Sequence, residues 1–507
     1  MCDACDTRAV HCRCMHPTDE GVFLKLNCGL FLVLVSMMAN ANAAMAKEPV
    51  AAPIAPVVMF SDIHFDPFHD PAKFKALEAA PVTEWAGIFA AAPSPTQAAD
   101  FEKLQVTCKT KGVDTPVALL DSSMDAAQKQ MPTPLFVTLS GDLMAHKFDC
   151  RFHTLDSKGT DADYSAFAAK TVAFVAWKLR KTFPHVPVYI ALGNNDSGCQ
   201  DYSEDPNSAF LTADAKSFAA EMATQENSAA VLASFPELGD ANVSLPMPKT
   251  RLLVLQDIFE SKRYATCGGK SSDDAAKAQI AWLKTQLTAA RKAHEKVWVM
   301  AHIPPGIDAY STFTKFRNVC GGKAPEPFLA SEALAETLAE YPDVIKLALF
   351  GHTHMDEMRV YTGVNGESIP GKLVPSISPV NGNNPAFTVA EVDTATATLK
   401  DYTVYSAVGS GDWDKPVKWT EEYQYSKAYG LPDFSGPAAA KLIAGFGEDK
   451  AGSAPASAAY EQFYFVGDPH ISGNVKAAAL KIVWPAYACA LSHASAAEFR
   501  SCMCPAK

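Results

Sequence analysis

Nine side chains able to bind a cation or move a proton fall into five short clusters. Asp62 and His64 stand two apart in Ser61-Asp62-Ile63-His64, and Gly141-Asp142 is followed by His146. Gly193-Asn194-Asn195-Asp196 brings two amides, His302 precedes Ile303-Pro304-Pro305-Gly306, and Gly351-His352-Thr353-His354 supplies two more imidazoles. Carboxylate, imidazole and amide donors without thiolate suit a divalent Zn, Mn or Fe. Side chains at i and i+2 of an extended chain point the same way, so Asp62 with His64 can reach one ion. The carboxylate of Asp142 has two oxygens and could bridge two cations, while Asn194 offers a neutral carbonyl oxygen.

Each cluster must be held by something rigid, and each follows a short apolar run rich in β-branched residues. The runs are Val57-Val58-Met59-Phe60, Leu135-Phe136-Val137-Thr138-Leu139, Val188-Tyr189-Ile190-Ala191-Leu192, Val297-Trp298-Val299-Met300 and Ile345-Lys346-Leu347-Ala348-Leu349-Phe350. Runs of this length predict buried strands, and the helical stretches 164–181, 274–294 and 328–340 lie between them. Alternating strands and helices predict a layered α/β architecture whose ligands gather beyond the carboxyl ends of the strands. A sixth run, Leu252-Leu253-Val254-Leu255, predicts a strand that adds no metal ligand. Residues 386–406 predict a hairpin turning at 394–398, and the Ala-, Ser- and Gly-rich stretch 451–459 reads as a surface loop. The segments 67–134, 197–250 and 303–327 are expected to be loops near the site.

Asp-x-His, Gly-Asp, Gly-Asn-x-Asp, a lone His and Gly-His-x-His in this order resemble the calcineurin-like metallophosphoesterases. Gly141-Asp142-Leu143-Met144-Ala145-His146, Pro375-Ser376-Ile377-Ser378-Pro379, Gly382-Asn383-Asn384-Pro385-Ala386-Phe387 and Ala428-Tyr429-Gly430-Leu431-Pro432-Asp433 are similar to the acid sphingomyelinase-like phosphodiesterase branch. The resemblance implies a layered β-sandwich flanked by helices, with a small, mostly helical C-terminal subdomain. It implies one metal on Asp62, His64 and His354, a second on Asn194, His302 and His352, Asp142 bridging them, and zinc as the first choice of ion. Asn195 departs from the superfamily, which usually has a histidine there to protonate the leaving group, and asparagine cannot do acid–base work near neutral pH. His146 is the expected replacement, because the branch carries a histidine at this spacing. Acid sphingomyelinase also has a lipid-presenting saposin domain, whereas only about fifteen residues separate the expected leader here from Asp62. A soluble, nucleotide-like substrate is therefore expected in place of a membrane lipid.

Two divalent ions set against two carboxylates leave an excess of about two positive charges, which attracts phosphate and favours attack by a metal-activated hydroxide. The expected activity is hydrolysis of phosphodiester or phosphoanhydride bonds. The alternatives are an endopolyphosphatase, a sphingomyelin phosphodiesterase, and a phospholigand-binding pseudoenzyme without turnover. The formal charge of −12 argues against a nucleic-acid-binding module. No Lys/Arg cluster stands out in the motif loops, which speaks against a long polyanion.

Lys25, the apolar run 29–39 and the small residues 41–46 predict a cleaved signal peptide, hence export to the periplasm or extracellular space, with no stable membrane span. The expected division is a leader at 1–46, a catalytic domain at 47–407 and a C-terminal subdomain at 408–507. Processing would leave eight of the 13 cysteines, an even number that predicts disulfides, with Cys489 joined to Cys502 or Cys504. The sequence assigns no oligomeric state.

Overall fold

The apolar runs become strands because each can be covered on both faces, and two six-stranded sheets do the covering. The computed structural model describes residues 53–408, 411–415, 417–466 and 480–505. The expected leader, with its five cysteines, lies outside the described residues. The strands are β1 (Ile54–Phe60), β2 (Val137–Ser140), β3 (Val188–Ala191), β4 (Ala241–Ser244), β5 (Thr250–Val254), β6 (Lys296–Met300), β7 (Ile345–Phe350), β8 (Glu357–Thr362), β9 (Ser368–Leu373), β10 (Ala386–Asp393), β11 (Thr398–Val408) and β12 (Lys418–Gln424). The first sheet runs β12-β11-β10-β1-β2-β3 and the second β4-β5-β6-β7-β9-β8. β1, β2 and β3 are parallel, as are β5, β6, β7 and β9, while the outer hairpins are antiparallel.

One core runs between the sheets, joining Val57, Val137 and Leu139 to Trp298, Met300 and Leu349. Trp298 is fully buried, its ring lies 5.6 Å from that of Phe136, and its indole N–H donates to Ala397 O at 2.8 Å. A buried tryptophan contributes most where its one polar atom is satisfied. Helices flank this sandwich. The helix Asp161–Thr182 starts at a capping box formed by Thr160 and Asp163 and buries Tyr164, Phe167, Ala168, Thr171, Val172, Val175 and Leu179, a stripe at helical spacing. Among the described residues no helix is long and apolar enough to cross a membrane.

Register sets the site. Phe60 pairs with Leu139, Leu139 with Ile190, and Met300 with Leu349, so the parallel strands end level with one another. The polar residues that follow therefore emerge side by side.

The structure changes several details of the sequence reading. Segment 67–134 is largely helical, with Phe74–Ala79, Val82–Ala90, Gln97–Cys108 and Val117–Gln130. Helices Ala209–Ala219 and Gln225–Leu238 occupy segment 197–250. The stretch expected as a loop at 451–459 instead opens the helix Pro455–Tyr464, because proline suits the first helical turn and alanine favours its continuation. Beyond residue 408 the chain contributes β12 to the first sheet before turning helical. All eight cysteines of the described residues pair, as Cys108–Cys150, Cys199–Cys267, Cys320–Cys504 and Cys489–Cys502.

Several carboxyls are buried without a cation. Burial lifts Glu204 to about 7, and burial with the nearby Asp257 lifts Glu260 to about 8. One oxygen of Glu260 has no partner. Such groups hold protons in the folded state where the unfolded chain has lost them, so their stabilisation is lost as pH rises from about 4.5 toward 8. Glu260→Gln should therefore raise the thermal midpoint relative to the parent at about pH 9 and leave it little changed at about pH 5. Thermal melts at the two pH values read this directly.

Candidate metal centre

Backbone hydrogen bonds continue the strand pairing of each sheet into the loops beyond the strand ends. Asp62 N–H donates to Gly141 O at 3.0 Å, His64 N–H to Asp142 O at 2.9 Å, and Gly351 N–H to His302 O at 2.9 Å. At these ends Asp62, His64, Asp142, His352 and His354 all adopt positive φ, between 46° and 72°. The extended i, i+2 arrangement expected for Asp62 and His64 is thus replaced by left-handed turns. A left-handed backbone costs roughly 1–2 kcal/mol for a residue with a Cβ. Five such residues at one place mark a site whose geometry is imposed by its surroundings.

Those surroundings also fix the imidazoles. The His64 Nδ1–H donates to Met144 O at 2.9 Å and the His302 Nδ1–H to Ser140 O at 2.8 Å. Carbonyls only accept, so each histidine turns Nε2 inward. His64 Nε2 lies 3.1 Å from His354 Nε2 and 3.4 Å from Asp142 Oδ2. His302 Nε2 lies 3.1 Å from the same Asp142 oxygen, and no hydrogen-bond partner satisfies it. His354 Nε2 is 3.5 Å from Asp62 Oδ1. On the other side His352 Nδ1 meets Asn194 Oδ1 at 2.8 Å, and the Asn194 amide is oriented by donating to Asp201 Oδ1 at 2.9 Å. The structure thus brings all seven expected ligands together. Donor atoms of Asp62, His64 and Asp142 converge within 4.8 Å, as do those of His64, His146 and His354. Donors crowded this closely, with the inward Nε2 of His302 left unpartnered, fit divalent cations.

The charge pattern agrees. Burial opposes ionisation of Asp62, but His302, His354 and His64 outweigh it and hold the carboxyl at about 2. Burial pushes His64 and His302 down, yet the carboxylates, Asp142 foremost, raise them to about 9 and about 10. Burial takes His352 to about 4 and His354 to about 3. Without ions two imidazolium groups balance two carboxylates, and cations would displace those protons.

His146 and Asn195 occupy different positions. The His146 ring stacks 4.0 Å from that of His64 and is about one-third exposed. Its backbone N–H and its Nδ1–H each donate at 2.9 Å to Asp114, a fully buried carboxylate that Arg151 and Ser378 also contact. Asn195 clamps Asp142 through its backbone N–H and its side-chain N–H, both at 2.8 Å.

Sequence reasoning missed the residues behind the donors. Asp196 accepts from the N–H groups of Gly193, Leu143 and Met144, tying the second and third clusters together. Asp257, just beyond β5, accepts from the N–H groups of His302 and Ile303. Asp114 stood inside a segment read as a loop. Asp114 and Asp257 carry no local signal, because each acts on residues distant in sequence, and the Gly-Asn-x-Asp motif that contains Asp196 does not reveal its reach to Leu143 and Met144.

A cleft of about 660 Å³ opens from His352 and Thr353 past Tyr202 and Phe328. It also carries Lys262 and Lys315, cations that did not stand out in the sequence.

Against known proteins, residues 55–356 match the family model described as calcineurin-like phosphoesterase. The chain belongs to the calcineurin-like phosphoesterase family and is a metal-dependent phosphoric ester hydrolase. Within that family it falls in the acid sphingomyelinase-like phosphodiesterase branch. It is 29% identical over 336 residues to the acid sphingomyelinase-like phosphodiesterase 3b of Homo sapiens, covering 64% of this chain and 68% of that protein. It is 25% identical over 329 residues to the cyclic GMP-AMP phosphodiesterase SMPDL3A of Rattus norvegicus, covering 63% and 68%. The sphingomyelinase phosphodiesterase D of Dictyostelium discoideum is 25% identical over 326 residues, covering 63% and 67%.

Gly193 tests how tightly the centre is packed. A Cβ there would collide with the side chain and backbone N of Asp142, whereas one on Gly445, within the helix Gly436–Glu448, would meet nothing within 4 Å. Gly193→Ala should lower bound metal to well below the parent's content, and Gly445→Ala should leave it unchanged, as read by elemental analysis of purified protein.

Proposed function

We propose that this chain is an exported two-metal phosphodiesterase that hydrolyses phosphodiester or phosphoanhydride bonds of soluble, nucleotide-like substrates. The observation that carries the reading is the set of inward donors around Asp142, with His64 Nε2 and His302 Nε2 both within 3.4 Å of one carboxylate oxygen. In this reading Asp62, His64 and His354 would hold one ion, Asn194, His302 and His352 the second, and Asp142 would be shared by both. Zinc is the ion first expected on such nitrogen and oxygen donors. When bound, such ions would neutralise charge on the phosphoryl oxygens and lower the pKa of a nearby water toward about 7.

The chain's own residues position the phosphate and handle the proton. Asn195 and Asp196 keep Asp142 and its loop fixed, and Asp257 fixes His302. His146 is the proton donor to the leaving group. With Nδ1–H committed to Asp114, its Nε2 is the nitrogen left to give that proton. Four disulfides and the expected leader support export. The rat relative, named as a cyclic GMP-AMP phosphodiesterase, supports a soluble phosphodiester.

His146→Ala should lower kcat on bis-(p-nitrophenyl) phosphate by about 10²- to 10⁴-fold with metal content intact. Loss of metal in that variant would make His146 a ligand instead, and unchanged turnover would remove it from the mechanism. Absence of hydrolysis by metal-loaded parent protein across a diester, a nucleoside triphosphate, sphingomyelin and polyphosphate would overturn the enzymatic reading.

A further inference from the structure

The cleft beside His352 has a positive rim that binding a single phosphate between two metal ions does not require. Lys262 Nζ stands 3.1 Å and Lys315 Nζ 3.0 Å from Glu326 Oε2, while Arg317 donates to Oε1 from Nε at 2.7 Å and also from Nη2. Glu326 is 8% exposed. Burial opposes its ionisation, but hydrogen bonds from Lys315, Arg317 and Lys262 outweigh that and hold it at about 2. It stays ionised, so three cations surround one anion and the cluster carries a net charge of two.

One carboxylate and one cation would suffice to anchor this loop. The surplus is placed where it can act: the side chains of Lys262 and Lys315 are 34% and 52% exposed and line the same cleft as His352 and Thr353. Arg263 also lines the cleft, its guanidinium 3.8 Å from the Tyr202 ring and 3.5 Å from Asp201 Oδ2, so its charge is already paired. On a chain of charge −12, such a patch in a concave, partly apolar cleft focuses a positive field on whatever enters.

We infer that Lys262 and Lys315, gathered with Arg317 on Glu326, form a second anion subsite, and that the substrate is a soluble oligoanion carrying at least one further phosphate besides the one cleaved. This deepens the phosphoesterase reading above and rests on it. The scissile group lies at the metal centre, the second phosphate lies at the rim, and the apolar walls at Tyr202 and Phe328 flank what connects them. The rim comes from residues about fifty positions apart in sequence that only the fold brings together.

The test is calorimetric binding of inorganic orthophosphate and inorganic tripolyphosphate to metal-loaded protein, with metal content checked after each titration. The parent should prefer tripolyphosphate. In the Lys262→Ala/Lys315→Ala double variant that preference should fall about tenfold or more, and in the parent it should weaken as salt rises. A preference that is absent in the parent, or equal in parent and variant, overturns the subsite. Hydrolysis of bis-(p-nitrophenyl) phosphate, measured alongside, reads the phosphoesterase assignment separately, because the binding ratio needs no turnover.

Discussion

The burial of negative charge at Asp142 and Asp62 is the constraint on which the rest of the structure depends. Neither carboxylate is more than 2% exposed, and an ionised carboxylate taken from water without compensation costs several kcal/mol. Compensation comes from three directions. Asn195 donates twice to Asp142, the N–H of His352 donates to Asp62, and the inward nitrogens of His64 and His302 approach the Asp142 oxygen. That arrangement is balanced by protons on those two imidazoles, which divalent ions would displace. Two divalent ions in place of two protons would leave an excess of about two positive charges, the charge that attracts phosphate.

Such an exchange needs donors that do not move, and the fold supplies them through strand ends rather than through the donors themselves. Level registers in both sheets bring the five loops together, and three buried carboxylates, Asp114, Asp196 and Asp257, fasten those loops by their N–H groups. Left-handed backbone at five of the donor residues is the visible cost of this placement. It persists because interlocking carbonyl and carboxylate contacts over-determine it. Ser140 illustrates the coupling: its carbonyl accepts from His302 on the opposite sheet, while its hydroxyl contacts Ser61 and Phe350 O.

What could be read from the sequence follows from the distances involved. Each donor directly follows its own apolar run, so strand and ligand are encoded together within about ten residues. The hairpin of β10 and β11 was equally legible, because its alternation and its turn are local. Asp114 and Asp257 were not, since an aspartate that fastens a distant loop resembles any other aspartate, and the motif holding Asp196 gave no sign of its hold on Leu143 and Met144. The Glu326 cluster has the same character, and so does the pairing of Cys320 with Cys504 across 184 positions. The helices of segment 67–134 differ, because their signal is local: Val117–Gln130 buries Leu119, Leu120, Met124 and Ala127 at helical spacing, in a segment that holds no metal-type motif. Composition misled at Pro455–Tyr464, where alanine and serine suggested a loop and proline at the first turn marked a helix start.

The central claim is that Asp142 sits between two cations held by six other residues. Anomalous diffraction from crystals of the zinc-loaded protein measures this most directly. The account predicts two metal peaks flanking Asp142, one within bonding distance of Asp62, His64 and His354 and the other of Asn194, His302 and His352. A single peak, or a metal bound away from Asp142, would contradict it.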